Sequence, residues 1–362
     1  MRGAVSTRRL DVAETKLIGK NYTTPDLVAK VTGRAKYAED FRAEGMLFAK
    51  LLLSPMPHAR IRRIDTKAAL AMPGVRAILT ADDLPKAALT GIPALTNEPM
   101  FEGEPILAVA ADDELTAAEA VESIAIDFEP LPFVTDPLES LRPNGLNAHP
   151  DGNVWAPAPG AGGRDAEGAA QAQMKIRALK WKEQDFAAAR EGQLPMGEAP
   201  EQWAHGDLEA GFREAKIVVD ETFVVQATSH QTMETRSAMA HWQNGKLYLY
   251  CSTQSVAQTV PAVARWCGIE PTDVVLISQY TGGGFGSKGG GTVTMSIPAL
   301  LSRKANAPVM MRISRDDESH IGRARTNMSG RVKVGFAKDG RITALDLFIV
   351  QDNGSYGPMG DH

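Results

Sequence analysis

Apolar runs of strand length, set apart by proline, glycine and charged clusters, predict strands over 46–53, 75–80, 106–111 and 124–128, the last alternating until Pro130 stops it. Helical spacing fills the gaps. It predicts one helix over 65–71, ended by Pro73-Gly74, and another over 116–123, with Glu114, Glu119 and Glu122 polar. Short strands interleaved with short helices in this way make an α+β unit. Beyond 206 the pattern predicts strands over 215–225, 246–251 and 274–277 and helices over 256–267 and 293–303. After the apolar stretch 308–313, Arg315-Asp316-Asp317-Glu318 reads as an acidic turn. Residues 330–340 and 342–350 then read as a hairpin across Lys338-Asp339-Gly340. The stretch 143–197 is different: it is rich in Gly, Pro and Ala, above all over 157–163, and leads into a charged, helical-looking run at 172–190. About 50 residues without a core of their own need another surface to lie on. The expected organisation is therefore a polar tail (1–21), an α+β domain (22–140), an extended linker (141–205) and the first part of a second domain (206–362), which stops abruptly after a strong strand.

Composition narrows the class. A chain of 362 residues, 43% of them hydrophobic, can bury the cores of two domains. Its 39 basic residues are outnumbered by 44 acidic ones, a net charge of -5, which argues against a nucleic-acid partner. Cys251 and Cys267 make no disulfide framework and no CxxC pair, so a reducing, cytoplasmic setting is expected. The start has no apolar stretch of signal-peptide length, and no window has the length and apolarity of a membrane span.

The chemistry concentrates after strand 274–277, in Gly282-Gly283-Gly284-Phe285-Gly286-Ser287-Lys288-Gly289-Gly290-Gly291. Glycine admits positive φ and close backbone approach, and successive free amides form a concavity that favours anionic oxygen. One aromatic, Phe285, reads as buried within it. A tight Gly-rich turn is the bland alternative. The run is no Walker loop, because Gly289 follows Lys288, and Gly284 to Gly289 fit a dinucleotide fingerprint poorly, since no short βαβ unit follows.

The order of several segments resembles one family, the molybdenum hydroxylases, over most of the chain. In the first part these are Gly33-Arg34-Ala35-Lys36-Tyr37-Ala38-Glu39-Asp40, Gly45-Met46-Leu47, Ser54-Pro55-Met56-Pro57-His58-Ala59-Arg60-Ile61, Pro73-Gly74-Val75 and Glu102-Gly103-Glu104-Pro105. In the second they are His230-Gln231-Thr232-Met233-Glu234-Thr235, Ser252-Thr253-Gln254, the GGGFGSK loop, Arg315-Asp316-Asp317-Glu318 and Gly322-Arg323. The resemblance implies an a/b hammerhead domain followed by the first part of a molybdopterin-binding α+β domain. It implies molybdenum held by molybdopterin, plain or as the cytosine dinucleotide, and not by side chains, so no protein metal ligands are expected. The implied reaction is hydroxylation of an aldehyde or N-heteroaromatic carbon with water, electrons leaving to partner subunits that carry 2Fe-2S clusters and FAD.

Residue by residue, the resemblance makes Gln254 the amide that donates to the molybdenum oxo ligand and Gly283, Gly284, Phe285 and Gly286 the backbone beside metal and pterin. Phe285 also walls the substrate channel, and Arg323 lies near substrate, where it can stabilise developing negative charge. Glu234 is expected to anchor loop packing, and His230, His241 and His320 to be structural or surface residues. Gly289 stands where xanthine-oxidising members carry a glutamate, which argues against xanthine and leaves a wider pocket. Family chains are longer, and the segment with their general-base glutamate has no counterpart here, so a second large-subunit polypeptide is an expected partner. The rival from another class is a structural or assembly subunit that kept the fold without the cofactor. A nicotinamide-dependent dehydrogenase is a third reading, without the Rossmann unit it needs.

Overall fold

The strand expected at 106–111 spans Pro105–Ala111 and is buried at every position, because cores form on both of its faces. The computed structural model describes residues 16–89, 92–157 and 174–356. Most of the expected tail, most of the Pro/Gly run at 157–163 and the final residues 357–362 lie outside them. Residues 1–36 and 37–362 form separate units, and the described part of the first holds helix α1 (Leu27–Val31).

The second unit contains β1 (Leu47–Leu53), β2 (Ala59–Asp65), helix α2 (Lys67–Ala71), β3 (Val75–Thr80), β4 (Pro105–Ala111), α3 (Glu114–Glu122) and β5 (Ala125–Pro130). Next come α4 (Pro137–Leu141), β6 (Val154–Pro157), β7 (Met174–Arg177), α5 (Glu183–Ala187), α6 (Leu208–Glu214), β8 (Ile217–Val225) and β9 (Thr228–Ser229). The remainder is β10 (Ala238–Gln243), β11 (Lys246–Cys251), α7 (Val256–Cys267), β12 (Val274–Ile277), α8 (Val293–Ala305), β13 (Val309–Met311), α9 (Arg315–Ile321), β14 (Ala324–Arg325), β15 (Asn327–Phe336) and β16 (Ile342–Asp352).

A seven-stranded sheet in the order β12-β11-β10-β13-β1-β4-β3 joins the early strands to the late ones, through parallel pairing of Leu47 with Val309 and Ala49 with Met311. Helix α8 is buried over 293–302 and packs on one face with Leu247, Leu249, Ala108 and Ala110. That burial suits a helix apolar nearly all round. On the other face Leu107 and Val109 meet Ile61, Ile64, Ile126 and Phe128 of the β2-β5 pair, with Ala69 and Ala120 from α2 and α3. Helix α7 starts where the Ser255 side chain accepts from the Gln258 amide and ends at left-handed Gly268, φ +63°.

Two expectations are corrected. The run at 172–190 is no continuous helix: β7 pairs antiparallel with β6, and only 183–187 is helical. Asn153 holds this path, accepting from the Leu179 amide at 2.8 Å and donating to the Ser140 and Leu179 carbonyls. Leu179, Trp181 and Phe186 form a small core with Leu141, Phe348 and Val350, in a stretch expected to have none. The acidic turn at 315–318 is the first turn of α9, capped by Ser314 and Asp317, because acidic side chains favour a helix N-terminus. Strands β2 and β10 and helix α6 add to the elements the pattern predicts.

Glu104 is 3% exposed, with Tyr356 Oη donating to Oε1 and the Met100 amide to Oε2, both at 2.7 Å. Burial pushes its carboxyl from 4.5 up to about 7. The native state then holds a proton that the unfolded chain releases, so stability present below about 4.5 is lost as pH rises toward about 7. Urea unfolding across that window should show a loss of up to about 3 kcal/mol. The loss should be absent in Glu104→Gln; equal slopes would contradict the assignment.

Candidate functional site

Glu234 is the point where four of the motif segments meet. Its Oε1 accepts from the Ala38 amide at 3.1 Å, and its Oε2 accepts from the Ser252 hydroxyl and the Gly282 amide, both at 2.6 Å. The Lys288 ammonium lies 3.5 Å from the same Oε2 and donates to the Glu234 carbonyl at 2.7 Å and to Ser252 Oγ at 3.0 Å. Lys288 is fully buried, and burial pulls its pKa below the usual lysine value, against the opposing pull of the Glu234 and Glu318 charges. Beside this pair Arg236 and Glu318 form a second buried ion pair, and Arg236 Nη2 donates to the Ser287 carbonyl at 3.0 Å.

Those buried charges hold the glycine loop between β12 and α8 in place. Gln254, just after β11, completes the hold: its backbone amide donates to the Lys288 carbonyl at 2.8 Å, and its Oε1 accepts from the Gly286 amide at 3.0 Å and the Lys288 amide at 3.3 Å. Two amide donors at one atom identify that atom as the oxygen. Nε2 is therefore what the exposed Gln254 side chain has left to donate. The Gly284 carbonyl accepts from the Ser287 amide and hydroxyl, each at 2.8 Å, and the Phe285 carbonyl accepts from Arg325 Nη2 at 2.7 Å.

The amides of Gly283, Gly284 and Phe285 alone in 282–288 remain without a partner among the described residues. Three successive free donors, one of them on buried Gly284, suit a group rich in acceptor oxygens, as do the Gln254 Nε2 hydrogens. The donors present here fit a molybdopterin-type group, which is rich in such acceptors. A Cβ at Gly284 would fall 2.3 Å from Gln254 Oε1, so the room glycine leaves there is taken by Gln254 itself.

Phe285 is not buried. It is 63% exposed and sits at φ +51°, in the left-handed region where a bulky residue is strained, and its ring reaches back over Gly283, where an added Cβ would lie 3.4 Å from it. Arg323 is half-buried on the turn after α9. Its carbonyl lies 2.9 Å from His230 Nδ1, and its charge helps lower both His230 and Arg236, in each of which burial is the largest cause. The guanidinium that hydrogen-bonds the Phe285 carbonyl belongs to Arg325, two residues further on, which nothing in the local sequence singles out. A methyl at Gly286 would lie 3.9 Å from both Arg325 Nη2 and His230 Nε2, so those side chains border the same side of the loop. The pairing of β14 with β9, Arg325 against Thr228, brings them there. Among the described residues no group of three His, Cys, Asp or Glu could hold a metal ion.

Family models match two stretches. Residues 32–132 match the aldehyde oxidase and xanthine dehydrogenase a/b hammerhead domain, and 192–362 match the molybdopterin cofactor-binding domain. Among relatives, a probable xanthine dehydrogenase subunit of Bacillus subtilis is 30% identical over 93% of this chain and 40% of its own length. The nicotinate dehydrogenase large molybdopterin subunit of Eubacterium barkeri is 28% identical, covering 95% of this chain and 72% of its own length. Quinoline 2-oxidoreductase from Pseudomonas putida 86 shares the fold with a TM-score of 0.73 at 24% identity, over 93% of this chain and 40% of that structure. Aldehyde oxidoreductase from Desulfovibrio gigas does so with 0.72 at 24% identity, over 93% and 35%. This chain thus spans less than half of the Bacillus relative and of both solved structures.

Two substitutions test the wiring. Lys288→Met leaves the Glu234 carboxylate buried without its cation and should cost about 3–5 kcal/mol in denaturant unfolding. In a cycle with Glu234→Gln the double variant should lose less than the sum, whereas additive losses would mean the pair is not coupled. Gly284→Ala should displace Gln254 from its two amides and cost about 1–3 kcal/mol, an effect that should shrink in a Gln254→Ala background.

Proposed function

The chain belongs to the molybdenum hydroxylase family, carrying N-terminal domains of its large subunit, and we propose that it binds molybdopterin in a multi-subunit hydroxylase acting on aldehyde or N-heteroaromatic carbon. The observation that carries this is the loop held at the amides of Gly282, Gly286, Ser287 and Lys288, which offers those of Gly283, Gly284 and Phe285 beside the Gln254 Nε2 hydrogens. Molybdenum with molybdopterin, when bound, supplies the redox chemistry that oxidises the substrate carbon with oxygen from water.

This chain's residues bind and orient. The three amides would receive acceptor atoms of the group, and Gln254 would donate to it from a side chain fixed by two backbone bonds, a preorganised neutral donor. The exposed Phe285 ring would wall the approach of substrate and exclude water, a role supported by its exposure and by Arg325 holding its backbone. Arg323 contributes positive charge beside His230, on the side of the loop that His230 and Arg325 border. A Cβ at Gly289 would meet only the Gly286 carbonyl, at 3.4 Å, which supports a roomy pocket and a substrate other than xanthine. A second polypeptide supplying the rest of the large subunit, an iron-sulfur subunit and an FAD subunit complete the proposed enzyme. The Eubacterium barkeri relative supports a divided large subunit, since this chain spans 72% of it against 40% of the Bacillus relative.

Gln254→Ala tests the proposal. In the purified complex it should retain molybdenum while the rate of reduction by an aromatic aldehyde or N-heterocycle falls about a hundredfold. An unchanged reduction rate would remove Gln254 from the reaction.

A further inference from the structure

His230 presents a bare lone pair beside the glycine loop. Its Nδ1 lies 2.9 Å from the Arg323 carbonyl, which can only accept, so Nδ1 carries the proton and Nε2 is an acceptor. The turn that follows holds the ring in place. Ser229 Oγ accepts from the Gln231 amide at 3.2 Å and from Gln231 Nε2 at 2.8 Å, and Gln231 sits at φ +50°, strain of the kind that collects at ligand sites. Protonation of the ring is opposed. Burial lowers its pKa below the usual imidazole value, and the charges of Arg325 on β14, Arg236 ahead of β10 and Arg323 lower it further, against the bond to the Arg323 carbonyl. Arg236 is itself paired with Glu318 of α9. At neutral pH the ring is therefore uncharged and Nε2 is free to accept.

A donor stands next to it. A Cβ built on Gly286 would lie 3.9 Å from His230 Nε2 and 3.9 Å from Arg325 Nη2, and within 4 Å of nothing else beyond its chain neighbours. The space in front of Gly286 is thus open and faced by one neutral acceptor and one cationic donor. Arg325 Nη2 gives a hydrogen to the Phe285 carbonyl and has a second to give. Acceptor and donor side by side are the complement of an amide edge, where an N–H lies next to a carbonyl oxygen. A carboxylate would set its own lone pairs against Nε2, and a hydrocarbon edge would leave both groups unpaired. We propose that His230 and Arg325 bind an amide edge of the substrate, its N–H donating to Nε2 and its oxygen accepting from Nη2. The inference rests on the functional reading above and narrows its substrate to an N-heteroaromatic amide.

The complex isolated through this chain is assayed with a pyrimidine carboxamide, the matching carboxylate and the N,N-dimethyl amide. At neutral pH kcat/KM for the carboxamide should exceed that for either analogue by about tenfold, the worth of one well-made hydrogen bond. Calorimetric binding to the dithionite-reduced complex, which cannot oxidise the probes, should follow the same order. His230→Asn keeps an N–H for the Arg323 carbonyl but places no atom at Nε2. It should raise KM for the carboxamide about tenfold with kcat within about twofold. As pH falls through the lowered His230 pKa, Nε2 becomes a donor, so the unmodified complex should lose its preference for the carboxamide and gain affinity for the carboxylate; the variant should show neither change. Equal values for the three probes, a preference for the carboxylate at neutral pH, or no binding of the carboxamide, in a complex that oxidises heterocycles or aldehydes, would overturn the subsite and leave the functional reading standing. A complex that oxidises neither would sink that reading, and this inference with it. The probe series is read in the unmodified complex, so a folding defect in the variant cannot mask the result.

Discussion

Everything the glycine loop can do depends on one buried charge pair. Glu234 and Lys288 lie 3.5 Å apart with side chains 8% and 0% exposed, and each also satisfies backbone and hydroxyl groups from other segments. A buried ion pair is a poor source of net stability, since desolvation offsets most of the attraction. It is a strong source of specificity, because any rearrangement that separates the partners leaves a bare charge in the interior. Here it fixes the position of a loop rich in glycine, which would otherwise sample many conformations. Arg236 and Glu318 repeat the device one step further along, gripping the Ser287 carbonyl.

The consequence is a surface site with a rigid foundation. Gln254, Phe285 and Gly286 are exposed, yet each is tied by hydrogen bonds: Gln254 to the backbone of buried Lys288, Gly286 to Gln254, and Phe285 to Arg325 of β14. The positive φ of Phe285 is the visible strain, held by Arg325 on one side and by the Gly286 amide on Gln254 on the other. The free amides then belong to a frame that need not reorganise to receive acceptor atoms. The site is open on one side, and the face of the β8-β15-β16 sheet that carries Phe223, Leu347 and Ile349 is also uncovered.

Much of this was legible in the sequence, because strong local signals and tertiary structure agree. Strands β3, β11 and β12 and helix α7 begin and end where the apolar pattern says, and the glycine run announces a loop that must approach something closely. What the sequence hid were relations between distant positions. That Lys288 is buried against Glu234 cannot be read from a lysine flanked by serine and glycine. Arg325 looks like Arg323 in the chain, and only the pairing of β14 with β9 decides which of them reaches the Phe285 carbonyl. At 174–177 helical composition yields to pairing with β6, a tertiary contact overriding a weak local preference. Phe285 reads as buried by its hydrophobicity, but at its left-handed backbone position it is 63% exposed.

Whether this loop helps to hold molybdopterin is decided most directly by the molybdenum and pterin content of the complex isolated through this chain from its native host. About one molybdenum and one pterin per copy of the chain are expected, both lost on Gly284→Val, where a branched side chain evicts Gln254 and crowds the free amides. A metal-free and pterin-free complex, or full cofactor content in that variant, would contradict the role assigned to the loop.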